Sequence, residues 1–377
     1  MVRPLRGVRL SENNMSAALS FTHIPNPTPT PAAEREALLA QGGFGTVFSD
    51  HMVTIEWSQD KGWHKAEVRK REPFLLDPAA AVLHYAQEIF EGMKAYRTPE
   101  GKITLFRPDQ NARRFNLSAE RMAMPTLPEE TFLEAVELLV QTDKDWIPGG
   151  NGSLYLRPFM FASEAFLGVR PAHHYTFCVI ASPVGDYFKG GAKPVSVWVS
   201  TEYTRASQGG TGAAKCGGNY AASLVAQAEA YDNGCDQVVF LDAAEHRWIE
   251  ELGGMNVFFV LEDGSLLTTP LAGTILPGIT RASLLELARA RGLKVEERRY
   301  SFEEWQADAR SGKIKEAFAC GTAAVVAAIG EVRYAGGSFK IADGQTGPLT
   351  ESLREELTGM QRGRVADTRG WARPVAI

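Results

Sequence analysis

The stretch GGTGAAKCGGNY, Gly209 to Tyr220, sets five glycines around a single lysine, Lys215. Glycine lets backbone come close to a ligand, because no Cβ stands in the way. Three readings of the lysine compete. A phosphate-cradling P-loop needs GxxxxGK[ST]; here Ala214 precedes Lys215 and Cys216 follows it, so the last glycine and the Mg2+-binding hydroxyl are both missing. A lysine held out of water is instead suited to attack a carbonyl carbon and form a Schiff base. The third reading is a plain surface lysine on a glycine-rich loop.

The downstream sequence bears on that choice. EELGGMNVFF carries Glu250 and Glu251 just before a Gly-Gly turn and an apolar strand, a position at the mouth of a sheet. LPGITRASLLELA puts Gly278, Ile279 and Thr280 at the start of a helix, where free N–H groups and the dipole favour a phosphate. CGTAAVVAAIG repeats the device at Gly321 and Thr322. Each has a plainer reading: a solvated acid, an ordinary helix cap, a strand-to-helix turn. Taken together with the arginines of the first half, they describe a site that could hold pyridoxal phosphate.

Outward from the loop, strand and helix signals alternate. ASLVAQAEAYDNG (222–234) reads as a helix with a glycine stop and QVVFLD (237–242) as a buried strand. NVFFVLEDGSLLTTP (256–270) reads as a hairpin around Asp263-Gly264, and RASLLELARARG (281–292) as an amphipathic helix. SFEEWQADARSG (301–312) opens with the capping-box spacing Ser301…Glu304. Upstream, VSVWVS (195–200), YTFCVIASP (175–183), SLYLRPFMF (153–161) and MVTIEW (52–57) read as strands, and PEETFLEAVELLV (128–140) as a helix. GMKAYRTPEGKITLFRP (92–108) predicts a hairpin turning at Thr98 to Gly101, and DPAAAVLHYAQEIF (77–90) has helical composition.

SPVGDYFKGGAKP (182–194), with two prolines and three glycines, reads as a linker. The expected architecture is therefore α/β (α+β): a Pro/Thr-rich extended arm over 1–35, of the kind that packs on a partner subunit, a small α+β domain over 36–181, and a larger α/β domain over 195–377 carrying the lysine. Ligands commonly sit between domains, which puts the expected site in the cleft under the linker.

Composition narrows the class. Of the 377 residues, 44% are apolar and 23% charged, as in ordinary globular proteins, which excludes a disordered chain and a disulfide scaffold. Forty basic residues against 45 acidic ones give a net charge of −5, so no basic field invites nucleic acid or an anionic membrane. Cys178, Cys216, Cys235 and Cys320 lie far apart, without CxxC or zinc spacing, and read as reduced thiols. The N-terminus has no apolar h-region and no run approaches the ~20 residues of a membrane span, so the expectation is a soluble cytoplasmic protein without a metal.

At this density of ordered motifs the sequence resembles the branched-chain amino-acid aminotransferases, pyridoxal-phosphate enzymes of fold type IV. The likeness runs from about Asp50 to about Gly363 through DHM (50–52), LHYAQEIFEGMKAYR (83–97), RRFNLSAERMAMP (113–125), LYLRPFMF (154–161), SPVGDYF (182–188), the long block 209–242, EELGGMN, LPGITR and GTAAVV. The resemblance implies two mixed α/β domains and a homodimer with residues of both subunits near each site. It implies amino transfer between L-leucine, L-isoleucine or L-valine and 2-oxoglutarate, by ping-pong kinetics.

By the same resemblance, Lys215 is the lysine that carries the cofactor and moves the substrate proton. Glu251, with Glu250 beside it, pairs with the pyridine nitrogen, and Tyr220 bonds the phenolic oxygen. Arg114, next to Arg113, falls with Ile279, Thr280 and Thr322 on the phosphate ligands, and Arg205 on a further arginine near the cofactor. Tyr85, Phe90, Tyr155 and Arg157, joined by Phe44, line the substrate pocket, and Thr322 and Ala323 form the turn whose backbone holds the substrate carboxylate. Two positions depart from the pattern. Ala324 and Ala327 stand where vertebrate members have a CxxC, which implies no thiol–disulfide control. Gly254 stands where some relatives have a threonine facing the cofactor. D-amino-acid aminotransferases and aminodeoxychorismate lyases share the lysine and glutamate, but are not expected to keep EIFEGMKAYR and LYLRP. A binding protein or an NTPase using the glycine loop is the alternative from outside the class.

Overall fold

The computed structural model describes residues 19–185 and 193–377. Residues 1–18 of the arm and 186–192 of the expected linker lie outside them. Among the described residues, two nine-stranded sheets carry the chain. The first runs Phe21–His23, Gly62–Lys70, His51–Ser58, His174–Val184, Ser153–Ala162, Met93–Arg97, Ile103–Phe106 and Ala372–Val375, with Glu88–Phe90 paired onto Ser153–Ala162. The second runs Ile249–Leu252, Gln237–Leu241, Val195–Ser200, Val325–Tyr334, Ile314–Gly321, Asn256–Leu261, Leu266–Thr268 and Val295–Glu297, with Gly337–Lys340 paired onto Val325–Tyr334. The fold class is the expected mixture of helix and sheet.

Alternating apolar residues decide which face of each strand is covered. On the first sheet, Phe115 and Phe132 from the helices Pro108–Arg121 and Glu129–Thr142 meet Phe177 of the sheet at ring separations of 5.5 and 5.9 Å. Ala214 and Cys216, on either side of Lys215, belong to the same apolar cluster, so the glycine loop is anchored in the first sheet's core. The second sheet is covered on one side by Phe302–Ser311, whose Trp305 is fully buried against Phe259. On its other side lie Ile279–Ala290 and Pro348–Gln361, through Leu284 and Leu353.

The hairpin expected over 92–108 forms, with Ala95 opposite Leu105 and the turn closed by Thr98 and Gly101. Ser301 and Glu304 make the expected capping box. Two expectations change. The helical composition of 77–90 yields a helix only over Ala81–Tyr85; Ala86 turns left-handed at φ 48°, and Glu88–Phe90 becomes a strand against Phe159–Phe161. Pairing with a buried strand outweighs the weak helix preference of that segment. Gly321-Thr322 does not open a helix; it lies at a strand–turn–strand connection between Ile314–Gly321 and Val325–Tyr334.

The described part of the arm is also structured. Phe21–His23 adds a parallel strand beside Ala66–Val68 of its own chain, and Ala32–Gln41 is a helix. At the far end Ala372–Val375 returns to the first sheet beside Ile103–Phe106. No helix among the described residues is long and apolar enough to cross a membrane.

Candidate active site

Lys215 sits where both sheets meet. Its N–H donates to Ser118 Oγ at 2.9 Å and its carbonyl accepts from Phe90 N at 3.0 Å, so its backbone is tied to the helix Pro108–Arg121 and to the strand Glu88–Phe90. The glycine loop before it is held by Arg121, which donates to the carbonyls of Gly209 and Gly210, and by Asn219, which donates to those of Thr211 and Ala214. Gly212 is required by close approach: a Cβ there would lie 2.3 Å from Thr274 O. From this frame Lys215 Nζ reaches the Tyr220 hydroxyl at 2.7 Å and lies 4.7 Å from the centre of the Phe90 ring.

Adjacent residues of a strand point to opposite faces, and along Ile249–Leu252 this separates the two glutamates. Glu251 lines the same pocket as Lys215, whereas Glu250 accepts from Thr274 Oγ1 in a separate cavity beside Trp248. Glu251 forms an ion pair with Arg205 Nη1 at 2.9 Å and accepts from Leu276 N at 3.1 Å and Asn256 Nδ2 at 3.1 Å. Burial pushes its carboxyl up to about 7 against the opposing Arg205 charge. A second positive group at its free edge would stabilise the ionised form. Arg205 itself stands behind Glu251 rather than on the pocket wall, with Nη1 on Thr274 O at 3.1 Å.

The other end of the pocket suits an anion. The helix Ile279–Ala290 begins at Gly278 without a side-chain cap, and its first intrahelical bond is Ala282 N to Gly278 O. The N–H groups of Ile279 and Thr280 therefore face the pocket without helical acceptors. Thr280 and Thr322 line it beside them. Arg114, also lining it, is buried against Glu91, with Nε at 2.7 Å and Nη2 at 2.8 Å, and gives Nη1 to Pro277 O at 3.0 Å. Of its five N–H groups two remain, one on each terminal nitrogen. Burial would push Glu91 up, but the Arg114 guanidinium holds it below the usual carboxylate range. Arg113, next door, is exposed and pairs with Glu129 at 3.5 Å.

The third side is aromatic. Phe90 lies 5.0 Å from Tyr220, and Phe44 meets Tyr155 edge-on at 5.0 Å. Arg157 lies over the Phe90 ring at 4.8 Å and donates to the Tyr155 hydroxyl at 3.0 Å. Its Nε is buried with no partner among the described residues. Tyr85 is not brought to this cluster. It stands on Ala81–Tyr85, 38% exposed, with its hydroxyl on Leu167 O. Gly254 faces Tyr220, and a Cβ there would make ordinary contact at 3.7 Å.

Lys215, Glu251, Arg114, Ile279, Thr280 and Thr322 thus converge, as expected from the sequence. The donor set fits a phosphorylated pyridine aldehyde: an amine in the middle, a carboxylate at one end, and a capless helix start with an arginine at the other. Asn256, which lines this pocket, and Glu91 and Lys94, which stand behind it on Arg114 and on Ala323 O, are not singled out by the sequence. The signal for Glu91 and Lys94 lies in FEGMKAY, where charges interrupt an apolar run and need partners once buried.

Comparison with known proteins agrees. Residues 88–332 match the amino-transferase class IV family. A branched-chain-amino-acid aminotransferase of Mycobacterium tuberculosis is 57% identical over 361 residues, covering 94% of this chain and 98% of the relative. Branched-chain-amino-acid transaminase 1 of Bacillus subtilis is 47% identical, covering 87% and 93%. The crystal structure of the Escherichia coli branched-chain amino acid aminotransferase superposes with TM-score 0.71 at 27% identity, covering 85% of this chain and 99% of that one. A further branched-chain amino acid aminotransferase, solved with pyridoxamine 5'-phosphate, gives TM-score 0.70 at 28% identity, covering 85% and 98%. On these grounds the chain belongs to the branched-chain amino-acid aminotransferases, within class IV of the aminotransferases.

Proposed function

We propose that this protein transfers the amino group reversibly between L-leucine, L-isoleucine or L-valine and 2-oxoglutarate, using pyridoxal phosphate. One observation carries the reading: Arg114, Lys215, Glu251, Ile279, Thr280 and Thr322 line a single pocket. Bound there, the cofactor supplies an aldehyde carbon to carry the amino group and a ring that takes up the electron pair left when the substrate Cα loses its proton.

The chain's residues do the rest. Ile279 N–H, Thr280, Thr322 and the two spare N–H groups of Arg114 bind the phosphate. Glu91 is a positioning residue that fixes the plane of Arg114. Glu251 holds a proton on the ring nitrogen, and Tyr220 orients the phenolic oxygen while bonding Lys215 Nζ. Lys215 Nζ takes the proton from Cα and delivers it to the carbon that receives the nitrogen. Arg205 and Asn256 orient Glu251.

Two unlike side chains must share one pocket. Phe90, Tyr155 and Phe44 offer apolar walls to the branched chains, each buried CH2 contributing about 0.8 kcal/mol. Arg157, whose buried Nε has no partner among the described residues, suits the distal carboxylate of glutamate and 2-oxoglutarate. Arg157→Met should cut kcat/KM for 2-oxoglutarate about 10–100-fold, the worth of a charge-assisted hydrogen bond. The leucine half-reaction should change only a few-fold. Equal losses in stopped-flow half-reactions on both substrates would remove Arg157 from this role.

The working protein is proposed to be a homodimer in the cytoplasm. Supporting the dimer, Leu83, Leu167 and Val169 are 59%, 65% and 90% exposed around Tyr85, an apolar patch in search of cover. Tyr85 would then serve the partner's pocket. Light scattering should give twice the mass of one chain, and Leu167→Asp should shift it toward one chain; an unaltered mass in that variant places the interface elsewhere.

The activity is tested by offering the holoenzyme L-leucine, D-alanine and aminodeoxychorismate, the amino acids with 2-oxoglutarate. Turnover of L-leucine, with L-isoleucine and L-valine following, is expected, since one methylene discriminates weakly. Turnover of D-alanine alone would reject the assignment.

A further inference from the structure

The cavity beside Trp248 lies behind the strand Ile249–Leu252, on the face turned away from Lys215, and has a volume of about 300 Å³. Small-molecule pockets run from about 300 to 1,000 Å³, so this one suits a free amino acid better than a nucleotide. Glu250 lines it and is 8% exposed. Its Oε1 accepts from Thr274 Oγ1 at 2.5 Å, and among the described residues no donor reaches Oε2. Burial pushes this carboxyl up, against Thr274 and the charges of Arg205 and Arg299. A carboxylate oxygen held out of water without a donor is costly, and an arriving ammonium would supply the missing partner.

The opposite charge lines the same cavity. Arg299 has its guanidinium 5.5 Å from the centre of the Trp248 ring, and its side chain is 60% exposed, which puts it at the mouth. Its ionic partner is Glu245 at 3.8 Å, too long for a hydrogen bond, so its fork of donors is open to a ligand. The two further acids of the lining are already engaged. Glu245 accepts from Trp248 Nε1 at 3.0 Å, and Asp242 accepts from the backbone N–H groups of Ala244, Glu245, Arg247 and Trp248. Glu250 and Arg299 form no ion pair with each other, although each lies within reach of the other's charge. Trp248, Ile249, Pro270 and Ile275 complete the wall with apolar surface.

We infer that this cavity is a second amino-acid site, taking a free amino acid with an apolar side chain, its ammonium on Glu250 and its carboxylate on Arg299. A carboxylate and a guanidinium held apart beside an apolar wall are the complement of such a zwitterion. Binding here does not depend on the amino transfer proposed at Lys215. The two sites are nevertheless linked: Thr274 bonds Glu250 through Oγ1, while its carbonyl accepts from Arg205, the ion-pair partner of Glu251.

The test uses the holoenzyme reduced with borohydride, which cannot turn over, with its substrate pocket filled by saturating 4-methylvalerate, leucine without its amino group. Equilibrium dialysis of radiolabelled L-leucine should still show saturable binding. Its Kd should rise about 10–100-fold in Glu250→Gln, the worth of a charge-assisted hydrogen bond, and several-fold in Arg299→Gln, where water screens the charge. 3-Methylbutylamine, leucine without its carboxylate, should displace the label only weakly. The unreduced Glu250→Gln holoenzyme should keep its leucine half-reaction, which separates loss of this site from damage to the other. Should Glu250→Gln fail to fold, Arg299→Gln, on an exposed side chain, carries the test. No saturable leucine binding beside 4-methylvalerate, or the same Kd in wild type and variants, overturns the second site. A wild-type holoenzyme that binds leucine here but does not convert it refutes the proposed transfer instead.

Discussion

Replacing Lys215 by alanine should lower transamination on the order of 10^4-fold or more, because in the proposed mechanism it removes both the anchor of the cofactor and the base that moves the Cα proton. The fold should survive. The backbone of residue 215 keeps its bonds to Ser118 and Phe90, and the side chain contributes one hydrogen bond, to Tyr220. Single-turnover kinetics with leucine, beside a thermal melt, check both halves. Borohydride reduction of the wild-type holoenzyme should bleach its yellow band and leave a mass label on the peptide containing Lys215. A label on another peptide, or near-normal turnover in Lys215→Ala, would refute the assignment of this amine.

Glu251→Gln should be the second most damaging change. An amide cannot hold the ring nitrogen in its protonated form, so the ring loses its capacity to take up electrons, and kcat should fall about 10^2–10^3-fold, the usual cost of one preorganised electrostatic contact. The variant also leaves Arg205, only 4% exposed at its side chain, without its carboxylate. Removing one partner of a buried pair typically costs about 3–5 kcal/mol, so the melting temperature should drop as well. Glu250→Gln, which alters the separate cavity, should spare kcat; if it is the variant that loses activity, the two glutamates have been assigned the wrong way round.

A pH signature follows from the same carboxyl. Burial raises Glu251 from 4.5 to about 7. Between those values the cofactor-free folded protein keeps a proton that the unfolded chain has lost. The stability contribution is then complete below 4.5 and fades as pH rises through 7. Melts of the cofactor-free protein at pH 5 and 7.5 should show that decline, reduced in Glu251→Gln. An identical slope in both proteins would remove Glu251 as its source.

Much of the site is legible in the sequence because its chemistry sits in short, ordered runs. Lys215 and Tyr220 share one loop, Ile279 and Thr280 share one helix start, and each run carries its own local reason for its shape. The same holds for Ser301…Glu304 and for the Thr98–Gly101 turn, where backbone requirements are met by near neighbours. Segment 77–90 misleads because its strand, Glu88–Phe90, exists only by pairing with Phe159–Phe161, some seventy residues away in sequence. Tyr85 shares a motif with Phe90 yet stands outside the cluster, since Ala86 reverses the chain between them.

What the residue order settles is therefore whatever depends on local backbone chemistry and composition: the turns, the capped helices, the amphipathic strands, and which types of group gather around the lysine. What folding in three dimensions adds is partnership at long range. Strand alternation turns Glu251 toward Lys215 and Glu250 away, Arg114 is oriented by Glu91, and Lys94 reaches a turn 229 positions distant. Such choices arise because a charge removed from water must find a partner wherever the packed chain supplies one, and sequence separation carries no information about that distance.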